Sequence, residues 1–188
     1  MLCSTAIAVG AEHAGSSEEN PILISSLAEF VTFADDVIAD ECCGEGRYWK
    51  LSADIDFKGV EWSRVIGSVE NPFKGNFDGD GYVIRNYKVA IGDKGAAGLF
   101  RYVGGNAVIK NLGIENFHGA LTNWSYGGVA GAITAYLTGN AKIESCYVKN
   151  VKYTDSVNWA PDLGEFAKMQ QALEALSASF DASSEDQE

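Results

Sequence analysis

The sequence predicts an all-β fold, a short parallel β-helix with an α-helix at each end. The chain has 21 glycines but only 3 prolines among its 188 residues, and glycine supplies the positive φ values that tight turns between strands need. From residue 48 onward, large apolar and polar residues alternate with the period of two that is typical of β-strands. Similar strand patterns then return along the chain, which indicates stacked units that bury each other's apolar faces.

The repeating element is a short strand with an isoleucine near its start. It occurs at residues 83–89 (VIRNYKV), 108–114 (VIKNLGI) and 142–148 (KIESCYV). Ile84 and Ile109 are 25 residues apart, and Ile143 follows 34 residues after Ile109. A leucine-rich repeat would show a fixed leucine ladder at a shorter period, and a propeller would need more blades than this length permits. A coil of parallel strands remains, with an antiparallel sandwich as the alternative.

An amphipathic helix is predicted over residues 26–39. Its apolar residues recur at helical spacing and are Leu27, Phe30, Val31, Ala34, Val37 and Ile38. Ser26 and Glu29 have the spacing of a capping box, in which two otherwise unpaired backbone donors are satisfied. We expect the apolar stripe to lie on the open end of the β core and to shield that end from edge-to-edge pairing.

A second helix is predicted over residues 161–180, where Pro161 suits the first turn. Its apolar stripe consists of Phe166, Met169, Leu173, Leu176 and Phe180. A lid over the last coil is favoured over a partner-binding helix, because a solenoid needs a cap at each end. Residues 181–188 are acidic, and we expect them to be disordered.

The N-terminus has features of an export signal. The first eleven residues are small and apolar and end in Val9, Gly10 and Ala11, a pattern that a signal peptidase cuts, although a positively charged start is missing. No other stretch reaches the roughly 18 apolar residues that a membrane span requires. We therefore expect a secreted or cell-surface protein without a membrane span. Its predicted parts are a signal-peptide remnant and flexible lead (1–21), a β-helix domain (22–160) and a C-terminal helix with an acidic tail (161–188).

The net charge of −12 is unevenly distributed. Residues 1–46 hold nine acids and no Lys or Arg, residues 47–154 hold nine acids and thirteen bases, and the remainder holds eight acids and one base. A nucleic-acid binder concentrates Lys and Arg on one face, since neutralising phosphate supplies most of its affinity. The sequence has no such cluster, so we do not expect a nucleic-acid partner.

The sequence contains no recognisable catalytic signature. The His-Glu-x-x-His and Gly-x-Ser-x-Gly motifs are absent, and His118, as a lone imidazole beside a glycine, is expected in a surface turn and not as a general base. We therefore expect no enzymatic activity and no cofactor. The alternative is a polysaccharide lyase or hydrolase, because β-helix folds host such enzymes. The acids available to it are Asp54, Asp56, Asp78 and Asp80.

Aromatic residues give the candidate binding residues, and a short acidic stretch gives a candidate metal site. A carbohydrate-binding face would use Trp49, Trp62, Trp124, Tyr126 and Tyr136, although buried aromatic stacks explain the same residues. The start of a calcium loop is matched by Asn76, Asp78 and Asp80. Tyr87 stands where the closing glutamate belongs, so we expect a structural corner with Phe77 buried and no metal.

Four cysteines leave the redox state open: Cys3, Cys42, Cys43 and Cys146. There is no Cys-x-x-Cys pair and no histidine at ligand spacing, which disfavours zinc. A bridge from Cys42 or Cys43 to Cys146 and buried reduced thiols are both compatible with the sequence.

Several stretches, in order, resemble bacterial secreted and surface proteins that carry GLUG repeats. They are LSADID (51–56), Trp62 followed by IG (66–67), FKGNFDGDG (73–81), the Ile-x-Asn strands, GLF (98–100) and GGVAG (127–131). The likeness covers residues 22–154. It implies a right-handed parallel β-helix with residues 26–39 as its N-terminal lid, and a role in adhesion or as the non-catalytic accessory part of a surface enzyme such as an immunoglobulin A peptidase. A glycan or a host surface protein is the partner that we expect.

Overall fold

A computed structural model describes residues 13–91, 96–121 and 129–155 of the chain. These residues belong to the first of two compact units, which spans Met1–Val157. The described chain is a parallel β-solenoid of about four coils that begins with one short helix, as the sequence predicts. The second predicted helix, over residues 161–180, lies outside the described residues.

Each coil adds strands to the same set of sheets. Before the first coil come β1 (Ile22–Ile24) and α1 (Leu27–Ala39). The first coil contains β2 (Tyr48–Leu51), β3 (Ile55–Asp56) and β4 (Glu61–Trp62). The second contains β5 (Asn76–Asp78), β6 (Val83–Arg85), β7 (Lys88–Ile91), β8 (Ala96–Ala97) and β9 (Phe100–Val103). The third contains β10 (Val108–Lys110), β11 (Gly113–Glu115), β12 (His118–Leu121), β13 (Val129–Ala130) and β14 (Thr134–Leu137). The last contains β15 (Lys142–Glu144), β16 (Tyr147–Lys149) and β17 (Lys152–Asp155).

Three long sheets of parallel strands form the walls of the solenoid. Sheet A has the order β1-β2-β5-β10-β15, and the two others have the orders β3-β6-β11-β16 and β4-β7-β12-β17. Two shorter pairs, β8 with β13 and β9 with β14, complete the middle coils. Each inner strand hydrogen-bonds to the equivalent strands of the preceding and following coils. Each coil is therefore held mainly by the coils next to it.

The coils lengthen along the chain. In sheet A, Trp49 pairs with Phe77 after 28 residues, Phe77 with Ile109 after 32, and Ile109 with Ile143 after 34. The 25-residue offset between Ile84 and Ile109 therefore does not correspond to one coil, and the repeat predicted from it is wrong. Ile84 pairs with Ile114, because the third coil carries two successive strands of the Ile-x-Asn type and the first of them belongs to a different sheet.

Three stacked asparagines form one corner of the solenoid. We call these asparagines, together with Asp56, the asparagine ladder. Asn86, Asn116 and Asn150 have φ values of 59°, 56° and 57°, a left-handed conformation that asparagine adopts more readily than most residues. Asn116 Nδ2 donates to Asn86 Oδ1 at 2.8 Å, and Asn150 Nδ2 donates to Asn116 Oδ1 at 3.0 Å. Asp56 ends the ladder as an acceptor from Asn86 Nδ2 at 3.0 Å, and this hydrogen bond lowers the pKa of Asp56.

A column of stacked rings fills the interior behind this corner. Phe57 and Tyr87 have ring centroids 5.5 Å apart, and Tyr87 and Phe117 are 5.0 Å apart. All three side chains are buried. The Tyr87 hydroxyl donates to the carbonyl of Ala132, and burial raises the pKa of Tyr87 well above its ordinary value. The rings therefore contribute both apolar burial and one satisfied polar group to the core.

Helix α1 begins where the capping pattern predicts. Ser26 Oγ accepts from the backbone N–H of Glu29 at 3.3 Å. The Glu29 carboxylate accepts from both the backbone N–H and the hydroxyl of Ser25, each at 2.7 Å. These hydrogen bonds lower the pKa of Glu29. The predicted pairing of Ser26 with Glu29 is confirmed, with Ser25 as the residue that Glu29 binds in return.

The buried face of α1 covers the first coil, which confirms the predicted N-terminal lid. The predicted stripe is wrong at Ile38, which is 47% exposed, and it omitted Phe33. Phe30 and Phe33 are both buried. The ring of Phe30 lies 5.4 Å from that of Trp62, and the ring of Phe33 lies 5.1 Å from that of Trp49 and 5.3 Å from that of Phe77. The lid thus closes the solenoid with aromatic contacts to both the first and the second coil.

The last described coil has a different environment, and we call β15, β16 and β17 together the open end. Each of these strands stands at the edge of its sheet within the described chain. Ile143 and Val148 pair in register with Ile109 and Ile114, which are fully buried. Ile143 and Val148 are nevertheless 36% and 42% exposed, because no described coil or helix lies beyond them.

Candidate functional site

The outer face of sheet A forms a groove of about 460 Å³. Successive residues of a strand point to opposite faces, so Trp49 enters the core while its neighbours Tyr48 and Lys50 face outward. The register between strands arranges these outward residues in two columns. One column is Tyr48, Asn76, Val108 and Lys142, and the other is Lys50, Asp78, Lys110 and Glu144.

The second column alternates in charge, and we call it the charge ladder. Adjacent strands are about 4.8 Å apart, so each charged group lies beside an opposite one. Within the ladder, Lys110 Nζ lies 3.6 Å from Asp78 Oδ2. The two outer members pair with residues beside the ladder: Lys50 with Asp80 at 3.0 Å, and Glu144 with Lys142 of its own strand at 3.7 Å. Opposite charges in register stabilise this pairing of the coils, and a shift by one residue would lose them.

Residues 13–21 supply one side of the groove. The segment is joined to sheet A by a hydrogen bond from the Tyr48 N–H to the Gly15 carbonyl, at 3.0 Å. Glu18 and Pro21 line the groove. The Glu18 carboxylate accepts a hydrogen bond from Lys110, and this contact is the main cause of the raised pKa of Lys110. The segment that precedes β1 therefore reaches across two coils to the charge ladder.

The residues of the candidate calcium loop build a turn. Asp78 Oδ1 accepts from the Asp80 N–H at 2.8 Å and from Asn111 Nδ2 of the next coil at 3.0 Å. Asn76 lines the groove beside them. Phe77, between them, is buried, which confirms the predicted burial. Within residues 13–91, 96–121 and 129–155, no three His, Cys, Asp or Glu side chains are grouped so that they could hold a metal ion.

Two of the five candidate aromatic residues lie in the core. Trp49 is 2% exposed and Trp62 is 4% exposed, and the Trp62 indole donates to the Leu99 carbonyl at 3.2 Å. A ring buried to this extent cannot stack on a ligand. For Trp49 and Trp62 the buried aromatic stack is therefore the correct reading, because the inward face of each strand carries its largest apolar residues.

Of the other aromatic candidates, Tyr136 lies among the described residues. Tyr136 lies on β14, is 37% exposed, and stacks on Tyr102 of the preceding coil with ring centroids 4.7 Å apart and planes within 8° of parallel. Trp124 and Tyr126 lie outside the described residues. Tyr136 therefore has an exposed ring, but it belongs to a different sheet from the groove.

The remaining candidate catalytic acids, Asp54 and Asp56, form hydrogen bonds and an ion pair that join neighbouring coils. Asp54 accepts from the Val83 N–H at 2.9 Å and forms an ion pair with Arg85. Asp56 belongs to the asparagine ladder. His118 starts β12 and is partly buried, so the expected surface turn at this residue is wrong. None of these three residues lines the groove of sheet A.

The structure leaves Cys43 and Cys146 as free thiols and shows Cys42 as disulfide-bonded. A bridge from Cys42 or Cys43 to Cys146 is therefore not formed. Burial raises the pKa of both free thiols, which lowers their thiolate fraction and their reactivity.

Sequence reasoning missed Tyr48, Lys50 and Lys110 as groove residues. A signal for them was present, since each alternates with an apolar residue such as Trp49 or Ile109 that the period of two places inside. The register between coils was the missing information. Because the offsets are 28, 32 and 34 residues, no fixed period aligns the columns.

No protein-family profile and no solved structure matches the chain. A protein of Evansella cellulosilytica named "Putative Gly-rich membrane protein" is 32% identical over 127 residues, which cover 59% of this chain and 14% of that protein. The chain thus spans about a seventh of the length of this relative. No helix among the described residues has the length and apolar character that crossing a membrane requires.

Proposed function

We propose that this chain is a non-catalytic β-solenoid module of a secreted or cell-surface protein, and that it binds a neutral glycan along the groove of sheet A. The observation that supports this function is the charge ladder on an open, concave face. A groove of about 460 Å³ is within the size range of small-ligand sites, and its length follows the coils of the solenoid, as an extended chain of sugars would.

The chemistry of the groove suits hydroxyl-rich ligands. A sugar hydroxyl both donates and accepts, and the groove alternates lysine donors with carboxylate acceptors and adds the amide of Asn76, which does both. The charge ladder has equal numbers of lysines and acids, so it does not attract a polyanion in the way that a basic groove does. Tyr48 is only partly buried and offers the edge or face of a ring to an apolar sugar face.

Location outside the cell is supported by two features of the sequence. The N-terminal residues have the small, apolar character of an export signal. The sequence also resembles GLUG-repeat surface proteins. The name of the relative from Evansella cellulosilytica, "Putative Gly-rich membrane protein", further supports membrane association of the larger protein. Because the chain corresponds to about a seventh of that relative, we infer that the solenoid acts as one module of a larger assembly or chain.

A glycan array followed by calorimetric titration tests the binding function. We expect a hit among neutral oligosaccharides, with Tyr48→Ala and Lys50→Ala each weakening binding by about tenfold, which corresponds to roughly 1.4 kcal/mol. Lys88→Ala is the matched control, since Lys88 is an exposed lysine on a different sheet. Binding that survives both groove variants, or that is confined to acidic glycans, would contradict this function.

A polysaccharide-acting enzyme is the second candidate, because Asp78, Glu144 and Glu18 place three carboxylates along the groove. Lyases and hydrolases use such groups as acids, bases or nucleophiles. Prolonged incubation with the glycans that bind distinguishes the two functions. Reproducible product release that Asp78→Asn abolishes would establish the enzyme, whereas binding without product release supports the non-catalytic module.

A further inference from the structure

At the open end, apolar side chains that would be buried in an inner coil are partly exposed. Ile143 and Val148 continue the columns of Ile109 and Ile114 but are about two-fifths exposed. Tyr153, whose ring contacts a buried core ring, lies on the same coil and is exposed to a similar extent. Several partly exposed apolar groups on one coil, each continuing a buried column, are typical of an interaction surface, whereas exposed apolar residues elsewhere on a folded protein are usually single and scattered.

The backbone of the open end also has an unpaired edge. Within the described chain, β15 forms its ladder with β10 on one side and stands at the edge of sheet A on the other. An edge strand with free N–H and C=O groups is a template for pairing with a further strand. An occupant that pairs with this edge therefore provides a strand together with an apolar face.

The sequence of β15 is complementary to itself. It reads Lys142, Ile143, Glu144. When two such strands pair in antiparallel fashion about Ile143, each Lys142 faces the Glu144 of the other strand, and the two isoleucines lie opposite each other on the same face of the sheet. That face is the core side, because Ile143 continues the buried column of Phe77 and Ile109.

The opposite end of the solenoid also has an edge strand, β1, but its apolar interior is covered. Helix α1 covers the first coil with Phe30 and Phe33. A head-to-tail stack of copies would require that first coil to be free, and such stacks grow without closing. Pairing of two open ends instead uses the same patch on both copies, which is the arrangement of a closed two-fold dimer.

We propose that the open end binds the open end of a second copy of this chain, with the two β15 strands paired in antiparallel fashion across a two-fold axis at Ile143. Sheet A then continues from one copy into the other. The exposed apolar side chains of both last coils become a shared core, and Lys142 of each copy pairs with Glu144 of the other.

Charge-reversal variants test this pairing, because both residues are exposed, with side chains 64% (Lys142) and 50% (Glu144) accessible. The mass of the full chain is measured by light scattering after gel filtration at up to about 100 µM, a range that detects micromolar association. We expect a dimer for the wild type and monomers for Lys142→Glu and for Glu144→Lys, since like charges then meet. An equimolar mixture of these two variants is expected to recover a heterodimer.

The doubly exchanged variant, Lys142→Glu with Glu144→Lys, provides the matched control. It retains the pair within each chain, which spans 3.7 Å in the native sequence, and it restores complementarity between copies, so we expect it to dimerise. A wild type that is monomeric at every concentration would overturn the proposal and indicate that a segment outside the described residues, or another protein, covers this end. A dimer that resists both single variants would overturn it too, by placing the interface elsewhere.

Discussion

The two ends of the solenoid place equivalent residues in opposite environments. Trp49 and Ile143 occupy the same column of sheet A, yet Trp49 is buried beneath Phe33 of helix α1 whereas Ile143 is partly exposed. The inward position is therefore not sufficient for burial. In a solenoid each coil is covered only by its neighbours, so the stability that a residue contributes depends on where its coil stands in the stack.

The largest difference between the two ends is expected when a charged residue replaces an apolar side chain that faces the interior. Phe30→Asp puts a carboxylate under the lid among aromatic rings, and burying an unpaired charge costs several kcal/mol, comparable to the whole stability of a small domain. We expect loss of cooperative unfolding, or aggregation, in thermal denaturation. Val148→Asp is the matched change at the open end. Water reaches that side chain in the monomer, so at concentrations where the chain is monomeric this variant is expected to remain folded. Equal melting temperatures for the two variants would show that α1 does not seal the first coil.

A truncation series along one column is expected to show a graded effect. Phe77→Ala should lower the free energy of unfolding by about 3–5 kcal/mol, because it empties a large, fully buried site. Ile143→Ala should lower it by about 1 kcal/mol, because the partly exposed Ile143 buries less apolar surface on folding than Phe77 does. Urea denaturation of both variants, at concentrations where the chain is monomeric, measures the two values. A cost at Ile143 equal to that at Phe77 would mean that another part of the protein covers the open end.

Substitutions in the asparagine ladder should show the same gradient, with smaller losses of unfolding free energy. Asn116 bonds to neighbours on both sides, whereas Asn150 bonds to one described neighbour. Asn116→Ala is expected to cost about 1–2 kcal/mol, from the lost hydrogen bonds and from the left-handed φ, and Asn150→Ala about half as much. Asn116→Gly separates the two causes, because glycine adopts the positive φ without strain but cannot bond. If the alanine and glycine variants are equally stable, the conformation contributes nothing.

The smallest effect is expected from the titration of the helix cap. Glu29 has a pKa below its ordinary value of 4.5 because of the hydrogen bonds from Ser25. The stability that this lowered pKa provides is present above the ordinary value and is lost as the pH falls through the folded value. Melting temperatures between about pH 7 and about pH 3 should therefore fall more steeply for the wild type than for Glu29→Gln. Parallel curves for the two proteins would contradict a role for Glu29 in the cap.

The features that sequence predicted well depend on local chemistry. The bounds of α1 follow from the helical spacing of Phe30 and Ala34 and from the cap at Ser26, all of which lie within about four turns of one another. The burial of Phe77 follows from strand alternation. Neither inference requires knowledge of which strand lies next to which.

The features that sequence did not predict depend on register. Trp49 and Trp62 were candidate binding residues because a period of two identifies two faces but does not say which one is inside. The groove residues Lys50 and Lys110 are 60 positions apart in the chain and share a column only through Asp78 of the coil between them. Coil lengths that change from one turn to the next hide such columns from any fixed-period search.

The position of α1 in the chain has a consequence for how the molecule is made. The lid and the strand β1 precede the first coil in sequence, so they leave the ribosome before the coil that they cover. Each later coil then meets an edge that is already ordered and adds to it by closing a loop of about 30 residues. The entropic cost is modest and changes little between coils, because it grows only with the logarithm of loop length. Folding can thus proceed in the direction of synthesis, with the exposed edge always belonging to the newest coil.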